Sequence, residues 1–273
     1  MQKKNLCVTV NTLCNWDCKY CISETNLSST SQKKERSEER LFLNALETLR
    51  TLNPEDYKSI TISGGEPGLL PENKIFDLLQ VGYSRGFNID INSNGKIFKS
   101  IIPYIMDYAQ LPHDMISDEL WYKLELIKMI DTIDLHLAPN MEEGLKMLGD
   151  TGTGFIYPNP TLPKSFFSLY SIIAIARNVD IKVRPLMVVG KSDLPYLEDF
   201  INAYNKQYIP SSTLPKLELR VCMDNESRNN QEKLSKEDIM GFMKTIYKNP
   251  GVSEESMSIA EAALESRKLN RYS

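Results

Sequence analysis

Residues 14–21 of the chain read Cys-Asn-Trp-Asp-Cys-Lys-Tyr-Cys, and this stretch is the most informative one for the fold. It directly follows a predicted strand at residues 6–10. Its three cysteines are separated by three and then two residues. The sequence predicts no signal peptide, because the apolar run after Lys3 and Lys4 is too short. We therefore expect a cytoplasmic protein with reduced thiols, in which these cysteines are metal ligands or reactive groups.

The composition is that of an ordinary globular protein and excludes some classes of function. Among 273 residues, 32 Lys and Arg stand against 36 Asp and Glu, which gives a formal net charge of −4. A protein that coats nucleic acid needs an excess of basic residues, so nucleic acid is not an expected partner. No window of about 18 uncharged apolar residues is present, so no membrane span is expected.

Two further motifs each follow a predicted strand. The strand at residues 59–62 runs into Ser-Gly-Gly-Glu-Pro at 63–67, and the strand at 87–92 runs into Ser-Asn-Gly at 93–95. The carboxyl ends of parallel strands meet at one edge of a sheet. We therefore expect these two motifs and the cysteine loop to lie on the same rim.

The alternation of strands and helices predicts the fold class. Strands and helices that alternate in this way form right-handed βαβ units with a parallel sheet. We predict an α/β fold, a partial (β/α)6 barrel over residues 1–225, with a C-terminal helical extension at 226–273 that packs on the barrel. The remaining predicted strands lie at 132–137, 181–189 and 216–222, and the predicted helices at 37–52, 71–83, 98–110, 118–130, 141–148, 164–177 and 194–208.

The spacing of Cys14, Cys18 and Cys21 suits one corner of a [4Fe-4S] cluster. A single loop can ligate three irons, which leaves the fourth iron without a protein ligand, although such clusters normally take four cysteines. A structural zinc site is one alternative, but it needs a fourth ligand and usually paired ligand spacings. Three inert structural cysteines are the other alternative, and Asp17 and Lys19 between them argue against close packing.

The cysteine spacing, together with Gly64-Gly-Glu-Pro67 and Ser93-Asn94-Gly95, resembles the radical SAM superfamily. That superfamily carries a CxxxCxxC signature with an aromatic residue before the last cysteine, a GGEP motif after the second strand and often TNG after the third. The resemblance covers about residues 6–95. It implies that a [4Fe-4S] cluster on Cys14, Cys18 and Cys21 binds S-adenosylmethionine (SAM) and reduces it to methionine and a 5′-deoxyadenosyl radical, which abstracts hydrogen from a substrate.

The resemblance also assigns roles to residues outside the cysteines. Gly64, Gly65, Glu66 and Pro67 would meet the methionine moiety of SAM, where the glycines allow close backbone approach. The same residues also suit a plain strand-to-helix turn. Tyr20 would lie near the adenine or fill the core, and Asn94 would contact SAM or occupy a left-handed turn position.

Polar residues on the later strands are further candidates. Arg184 is a charge in an apolar run and would pair with the SAM carboxylate, with Lys182 as the alternative on the same face. His136 ends the fourth strand, where relatives bind ribose or substrate, but a strand histidine is also a common core residue. Cys222 is a candidate hydrogen-atom donor, or a small buried hydrophobe.

We expect a compact enzyme with one cluster that acts on a small molecule, with an electron donor such as flavodoxin or ferredoxin. An activase of a glycyl radical enzyme, or a peptide-modifying enzyme, is the alternative within the superfamily. A noncatalytic iron–sulfur electron carrier or sensor is the alternative from another class. The residues 149–163 suggest a loop over the mouth of the barrel, and nothing in the sequence identifies the substrate.

Overall fold

The computed structural model describes residues 4–18, 21, 32–149, 169–208, 214–222 and 232–269. Within them, six strands follow the predicted order and lie within three residues of the predicted ends. They are β1 (Lys4–Thr9), β2 (Tyr57–Ser63), β3 (Ile89–Ser93), β4 (Ile130–His136), β5 (Lys182–Val189) and β6 (Glu218–Val221).

The six strands form one parallel sheet in the order β1-β2-β3-β4-β5-β6. Every neighbouring pair is parallel, and each connection therefore crosses over from one end of the sheet to the other. Because such crossovers are right-handed, the connecting helices of a sheet in sequential order lie on one face. This topology confirms the predicted partial (β/α)6 barrel and leaves the other face of the sheet without connecting helices.

The helices of the described residues are α1 (Gln32–Thr51), α2 (Glu72–Arg85), α3 (Phe98–Gln110), α4 (Asp118–Ile127), α5 (Met141–Gly149), α6 (Leu169–Arg177), α7 (Leu197–Tyr208), α8 (Lys236–Ile246) and α9 (Glu254–Leu269). Three of them differ from the prediction by three residues or more, and one of these, α4, ends three residues early. Residues 164–168 of the helix predicted at 164–177 lie outside the described residues. α1 begins five residues earlier than predicted. The prediction missed its first turn because that turn is charged and carries no apolar periodicity. α7 begins three residues late, because residues 191–196 form a 3-10 helix that contains Pro195.

The two faces of the sheet differ sharply in chemistry. Side chains that point toward the helices are apolar and buried, as with Ile133 and Leu135 on β4 and Leu219 and Val221 on β6. Successive side chains of a strand point to opposite faces, and the alternate positions carry mostly polar and charged residues, with apolar exceptions such as Leu186 and Val188 on β5. We call this second surface the open face.

The last two helices follow β6, and α9 contacts both β6 and α8. The backbone N–H of Leu219 in β6 donates to the hydroxyl of Ser256 in α9 at 2.8 Å, and Ser253 N donates to the carbonyl of Leu217 at 2.8 Å. Both Ser256 and Leu217 are buried. The division of the chain at residue 225 stays a prediction. No helix in the described ranges is long and apolar enough to cross a membrane.

Candidate active site

The cysteine loop begins where β1 ends. Val10 continues the strand pairing, since its N–H donates to the carbonyl of Ser63 at 2.9 Å. Cys14, Cys18 and Cys21 are all partly buried, and Cys21 N donates to the carbonyl of Cys18 at 3.0 Å, which ties these two ligand candidates together. All five cysteines of the chain lie in the described residues, and none of them forms a disulfide.

The glycine pair after β2 holds the start of the cysteine loop by its backbone. Gly65 N donates to the carbonyl of Asn11 at 2.9 Å, and Glu66 N donates to the carbonyl of Leu13 at 2.6 Å. A Cβ on Gly64 would lie 2.3 Å from the Asn11 carbonyl oxygen, and one on Gly65 would lie 2.0 Å from that of Leu13. Since both obstacles are backbone atoms, only glycine permits this approach.

The Glu66 side chain ties the second motif to the third. It is 1% exposed and accepts hydrogen bonds from Gly68 N at 2.8 Å, Ser93 Oγ at 2.7 Å and Asn94 N at 2.6 Å. Burial raises the pKa of this carboxyl to about 7, although the three hydrogen bonds oppose the rise. Pro67 is buried and begins a 3-10 helix at residues 67–69. The Glu66 carboxylate thus joins the two turns.

The turn after β3 reaches the cysteine loop through Asn94. Its side-chain nitrogen donates to Asn15 Oδ1 at 2.9 Å and lies 3.8 Å from Cys14 Sγ. Gly95 continues the turn at a φ of +98°, a value that favours glycine. The three motifs therefore meet on one rim, as the order of strands and motifs predicted.

Three amide oxygens of this rim are buried without a hydrogen-bond partner. They belong to Asn11, which precedes the cysteine loop, to Asn92 on β3 and to Asn94. A buried polar atom without a partner costs free energy, so native proteins normally satisfy it. In the part of the chain that the structure describes, the rim therefore presents acceptors that a bound molecule with N–H or O–H groups would satisfy.

The Cys14 thiol carries the proton more firmly than an ordinary cysteine. Burial raises its pKa, and the nearby Glu66 carboxylate and Cys21 thiol add to the rise, while the Trp16 N–H lowers it. Among the described residues, no three His, Cys, Asp or Glu side chains already stand in the geometry of a metal site. The loop thus provides three thiols close in sequence, but they do not form a preassembled cage.

The later strands carry charged side chains on the open face. Asp134 on β4 and Arg184 on β5 are register partners. Arg184 Nε donates to Asp134 Oδ1 at 2.6 Å and Nη2 donates to Oδ2 at 2.8 Å, a two-pronged ion pair. The guanidinium of Arg184 is therefore engaged by a carboxylate of the chain itself.

Arg220 and Glu218 on β6 extend this pair across one more strand. Arg220 Nε donates to Glu218 Oε1 at 2.5 Å, and its Nη2 donates to Asp134 Oδ2 at 3.1 Å. Glu218 Oε2 lies 3.4 Å from Arg184 Nε. We call Asp134, Arg184, Glu218 and Arg220 the ionic quartet.

His136 lies next to the ionic quartet at the end of β4. Part of its ring stays accessible, but desolvation lowers its pKa to about 4, and the positive charge of Arg220 adds to the decrease while Asp134 opposes it. The imidazole is therefore neutral at physiological pH, when it can donate one hydrogen bond and accept another.

A family model described as the Radical SAM superfamily matches residues 8–138. The match begins in β1 and ends just after β4, so it contains all three motifs of the rim. The match covers just under half of the chain, and it supports membership of the radical SAM superfamily. This agrees with the resemblance that the motifs suggested.

One curated relative is a protein named S-adenosylmethionine-dependent nucleotide dehydratase from Fibrobacter sp. (strain UWH6). It is 27% identical over 102 residues, which cover 36% of this chain and 29% of the relative. The chain thus spans less than a third of that relative's length.

Solved structures with a related fold include SuiB from Streptococcus suis bound to S-adenosylmethionine and native anSMEcpe with bound AdoMet and Kp18Cys peptide. SuiB is 15% identical with a TM-score of 0.44, covering 89% of this chain and 46% of its own. The second structure is 14% identical with a TM-score of 0.49, covering 90% of this chain and 59% of its own. The chain spans about half the length of these proteins.

The candidate site residues of the chain fall into two groups. The cysteines, residues 64–67 and Asn94 lie together on the β1–β3 side, while Arg184 and His136 lie on the β4–β6 side. Cys222 is buried at the end of β6, where its N–H donates to the carbonyl of Val189 at 3.0 Å. Tyr20 and nearly all of the 149–163 loop lie outside the described residues.

Sequence reasoning missed several polar residues of the site. Asn11 and Asn92, with their unpartnered oxygens, and Asp134, the shared acceptor of two arginines, were not candidates. One signal could have found Asp134. It lies two residues before His136, so it occupies the same face of the predicted strand.

Proposed function

We propose that this chain is a radical SAM enzyme whose Cys14, Cys18 and Cys21 hold a [4Fe-4S] cluster. SAM would bind beside it along residues 64–67. The observation that carries the proposal is the backbone pairing of residues 11–13 with the glycine pair, which fixes the start of the cysteine loop against a turn that tolerates no side chain.

The donor set of the loop fits such a cluster. Thiolates are the ligands that iron–sulfur clusters take, and three of them from one loop leave one iron for another ligand. When bound and reduced, the cluster supplies the electron that splits SAM into methionine and a 5′-deoxyadenosyl radical. Binding deprotonates the thiols, so the raised pKa of Cys14 means that loading releases a proton that this thiol otherwise keeps.

The neighbouring residues fit a ligand with amino and hydroxyl groups. The oxygens of Asn11, Asn92 and Asn94 are buried acceptors without partners, and an ammonium or a ribose hydroxyl would satisfy them. Gly64 and Gly65 bring backbone close to this region and exclude side chains. Asn94 orients its amide through Asn15 and points the nitrogen at Cys14 Sγ. These residues would position SAM and shield it from water.

The substrate of the reaction is proposed to be a small molecule, bound on the open face. The curated relative from Fibrobacter sp. is named a nucleotide dehydratase, so nucleotides are the first compounds to assay. A flavodoxin or ferredoxin would supply electrons. Both assignments are proposals that extend from the superfamily to this chain.

The test is anaerobic reconstitution with iron and sulfide, followed by reduction in the presence of SAM. We expect about four irons per chain and formation of 5′-deoxyadenosine, and we expect Cys14→Ala, Cys18→Ala and Cys21→Ala each to lose both. Cys7→Ala is the matched control, because Cys7 lies on β1 outside the loop. An intact reduced cluster that yields no 5′-deoxyadenosine would instead favour an electron carrier or sensor.

A further inference from the structure

The hydrogen-bonding groups of the ionic quartet that remain unused are all N–H donors. All four carboxylate oxygens of Asp134 and Glu218 face a guanidinium nitrogen within 3.4 Å. Each guanidinium has five N–H donors, and each directs only two of them at these carboxylates. Three donors therefore remain on each arginine without an acceptor among the described residues.

The exposed part of the quartet is its positive part. The side chains of Asp134 and Glu218 are 7% and 3% exposed, whereas those of Arg184 and Arg220 are 44% and 33% exposed. The two acids thus lie beneath the arginines and hold their planes in place. A molecule that approaches the open face at the quartet meets N–H donors, although the quartet as a whole is neutral and the Asp90 carboxylate on β3 lies close enough to act on Arg184.

The position of the quartet separates it from the cysteine loop. β1 and β5 are four strand spacings apart, about 19 Å along the curved sheet at ~4.8 Å per spacing. The quartet therefore lies on the wall of the partial barrel that is remote from the cysteines.

We propose that Arg184 and Arg220 bind an anionic group of the substrate, a carboxylate or a phosphate. Two guanidiniums with unused donors match the acceptor pairs of such groups, and buried acids that fix their orientation reduce the entropy lost on binding. This assignment rests on the proposed function and differs from the sequence-based prediction that Arg184 meets the SAM carboxylate.

The test measures anion binding and SAM binding separately on the cluster-loaded protein. Inorganic pyrophosphate and malonate are titrated by anaerobic calorimetry into the wild type and into Arg184→Lys and Arg220→Lys. These variants keep the charge that Asp134 and Glu218 need but lose the fork-shaped donor. Arg50→Lys is the matched control, because Arg50 is exposed in the last turn of α1.

We expect at least one of the two anions to bind the wild type, and both quartet variants to weaken that binding at least fivefold. SAM affinity should stay within twofold of the wild type, as should all readouts of Arg50→Lys. The proposal is overturned if neither anion binds, or if the quartet variants bind the anions normally. It is also overturned if SAM affinity falls in parallel, since the arginines would then serve the SAM carboxylate.

The result separates this inference from the proposed function. If the wild type never holds iron, the cluster assignment fails, while the same anion titration on the iron-free protein still decides whether the arginines form a site. Arg184→Gln and Arg220→Gln provide a second pair of variants, with thermal unfolding to establish that each is folded. We expect the folded glutamine variants to lose anion binding, and neither lysine variant to bind the anions as tightly as the wild type. This result identifies the fork-shaped guanidinium as the group that binds the anion.

Discussion

The two sides of the open face are built by different forces. On the β1–β3 side, backbone hydrogen bonds and glycines fix the cysteine loop against the second motif. On the β4–β6 side, ion pairs between side chains of neighbouring strands hold the ionic quartet. The family match ends at residue 138, just beyond β4. The side built by backbone therefore lies wholly within the family match, whereas three of the four quartet residues lie beyond it.

The difference between the two sides corresponds to the different ligands that we propose for them, SAM with the cluster on one side and the substrate on the other. SAM and the cluster are the same molecules in every enzyme of this kind, so a binding site formed by backbone geometry serves all of them. Substrates differ, and side chains can change from one protein to another without altering the fold. We infer that substitutions on the two sides separate cofactor chemistry from substrate binding.

The largest effect is expected for Gly65→Ala. The added Cβ would lie 2.0 Å from the Leu13 carbonyl oxygen, so the backbone before Cys14 must move. We expect the free energy of unfolding to fall by about 3 kcal/mol, as for severe overpacking, and iron content and 5′-deoxyadenosine formation to be lost together. Urea unfolding, iron analysis and product chromatography measure these quantities.

Gly241→Ala is the control for this glycine substitution. Gly241 lies in α8, and a Cβ added there would meet no neighbouring atom within 4 Å. Alanine is the better helix former by up to about 1 kcal/mol, so this variant should be as stable as the wild type or more so. A Gly65→Ala protein that loads iron normally would contradict the claim that backbone contact fixes the cysteine loop.

A smaller effect, confined to the other side, is expected for Asp134→Asn. This change removes the shared partner of Arg184 and Arg220, and should lower the free energy of unfolding by about 2 kcal/mol, less than for a fully buried pair because both arginines are partly exposed. Iron content and SAM cleavage should persist. Denaturation together with iron analysis distinguishes this result from that of Gly65→Ala.

Asp131→Asn is the matched control on the same strand. Asp131 pairs with Lys182, but both side chains are at least half exposed. Exposed pairs contribute about 0.2–1 kcal/mol, so little stability should be lost. Equal losses for the two aspartates, or loss of iron in Asp134→Asn, would show that the two sides are not independent.

The sequence predicted the β1–β3 side better than the β4–β6 side, and the reason is physical. Cysteine spacing, a glycine pair and a turn are local features that a sequence displays directly. The partners of Arg184 depend on the register between three strands, because a shift of one residue turns each side chain to the other face. The inward orientation of Glu66 was equally hidden, since its three donors come from two separate turns.

The smallest predicted effects are changes in the free energy of unfolding with pH, and these changes have opposite signs for the two sides. Glu66 has a pKa of about 7 in the folded chain, above its ordinary 4.5, so the folded state binds more protons and lowering the pH from 7 to 5.5 should stabilise it by about 1.5 kcal/mol. His136 has a folded pKa of about 4, below its ordinary 6.5. The unfolded state then binds more protons, and the same change should destabilise the fold by about 1 kcal/mol.

In the wild type the contributions of Glu66 and His136 to the pH dependence of stability nearly cancel. Each contribution is therefore measured in a variant that lacks the other group. His136→Gln should gain stability on acidification from pH 7 to 5.5 relative to the wild type, whereas Glu66→Gln should lose it. Glu47→Gln, on the exposed side of α1, should follow the wild type. Urea unfolding of all four proteins at the two pH values, in the presence of a reductant, gives these differences. A change in stability of the same sign in His136→Gln and Glu66→Gln, relative to the wild type, would contradict the prediction. Either the raised pKa of Glu66 or the lowered pKa of His136 would then be wrong.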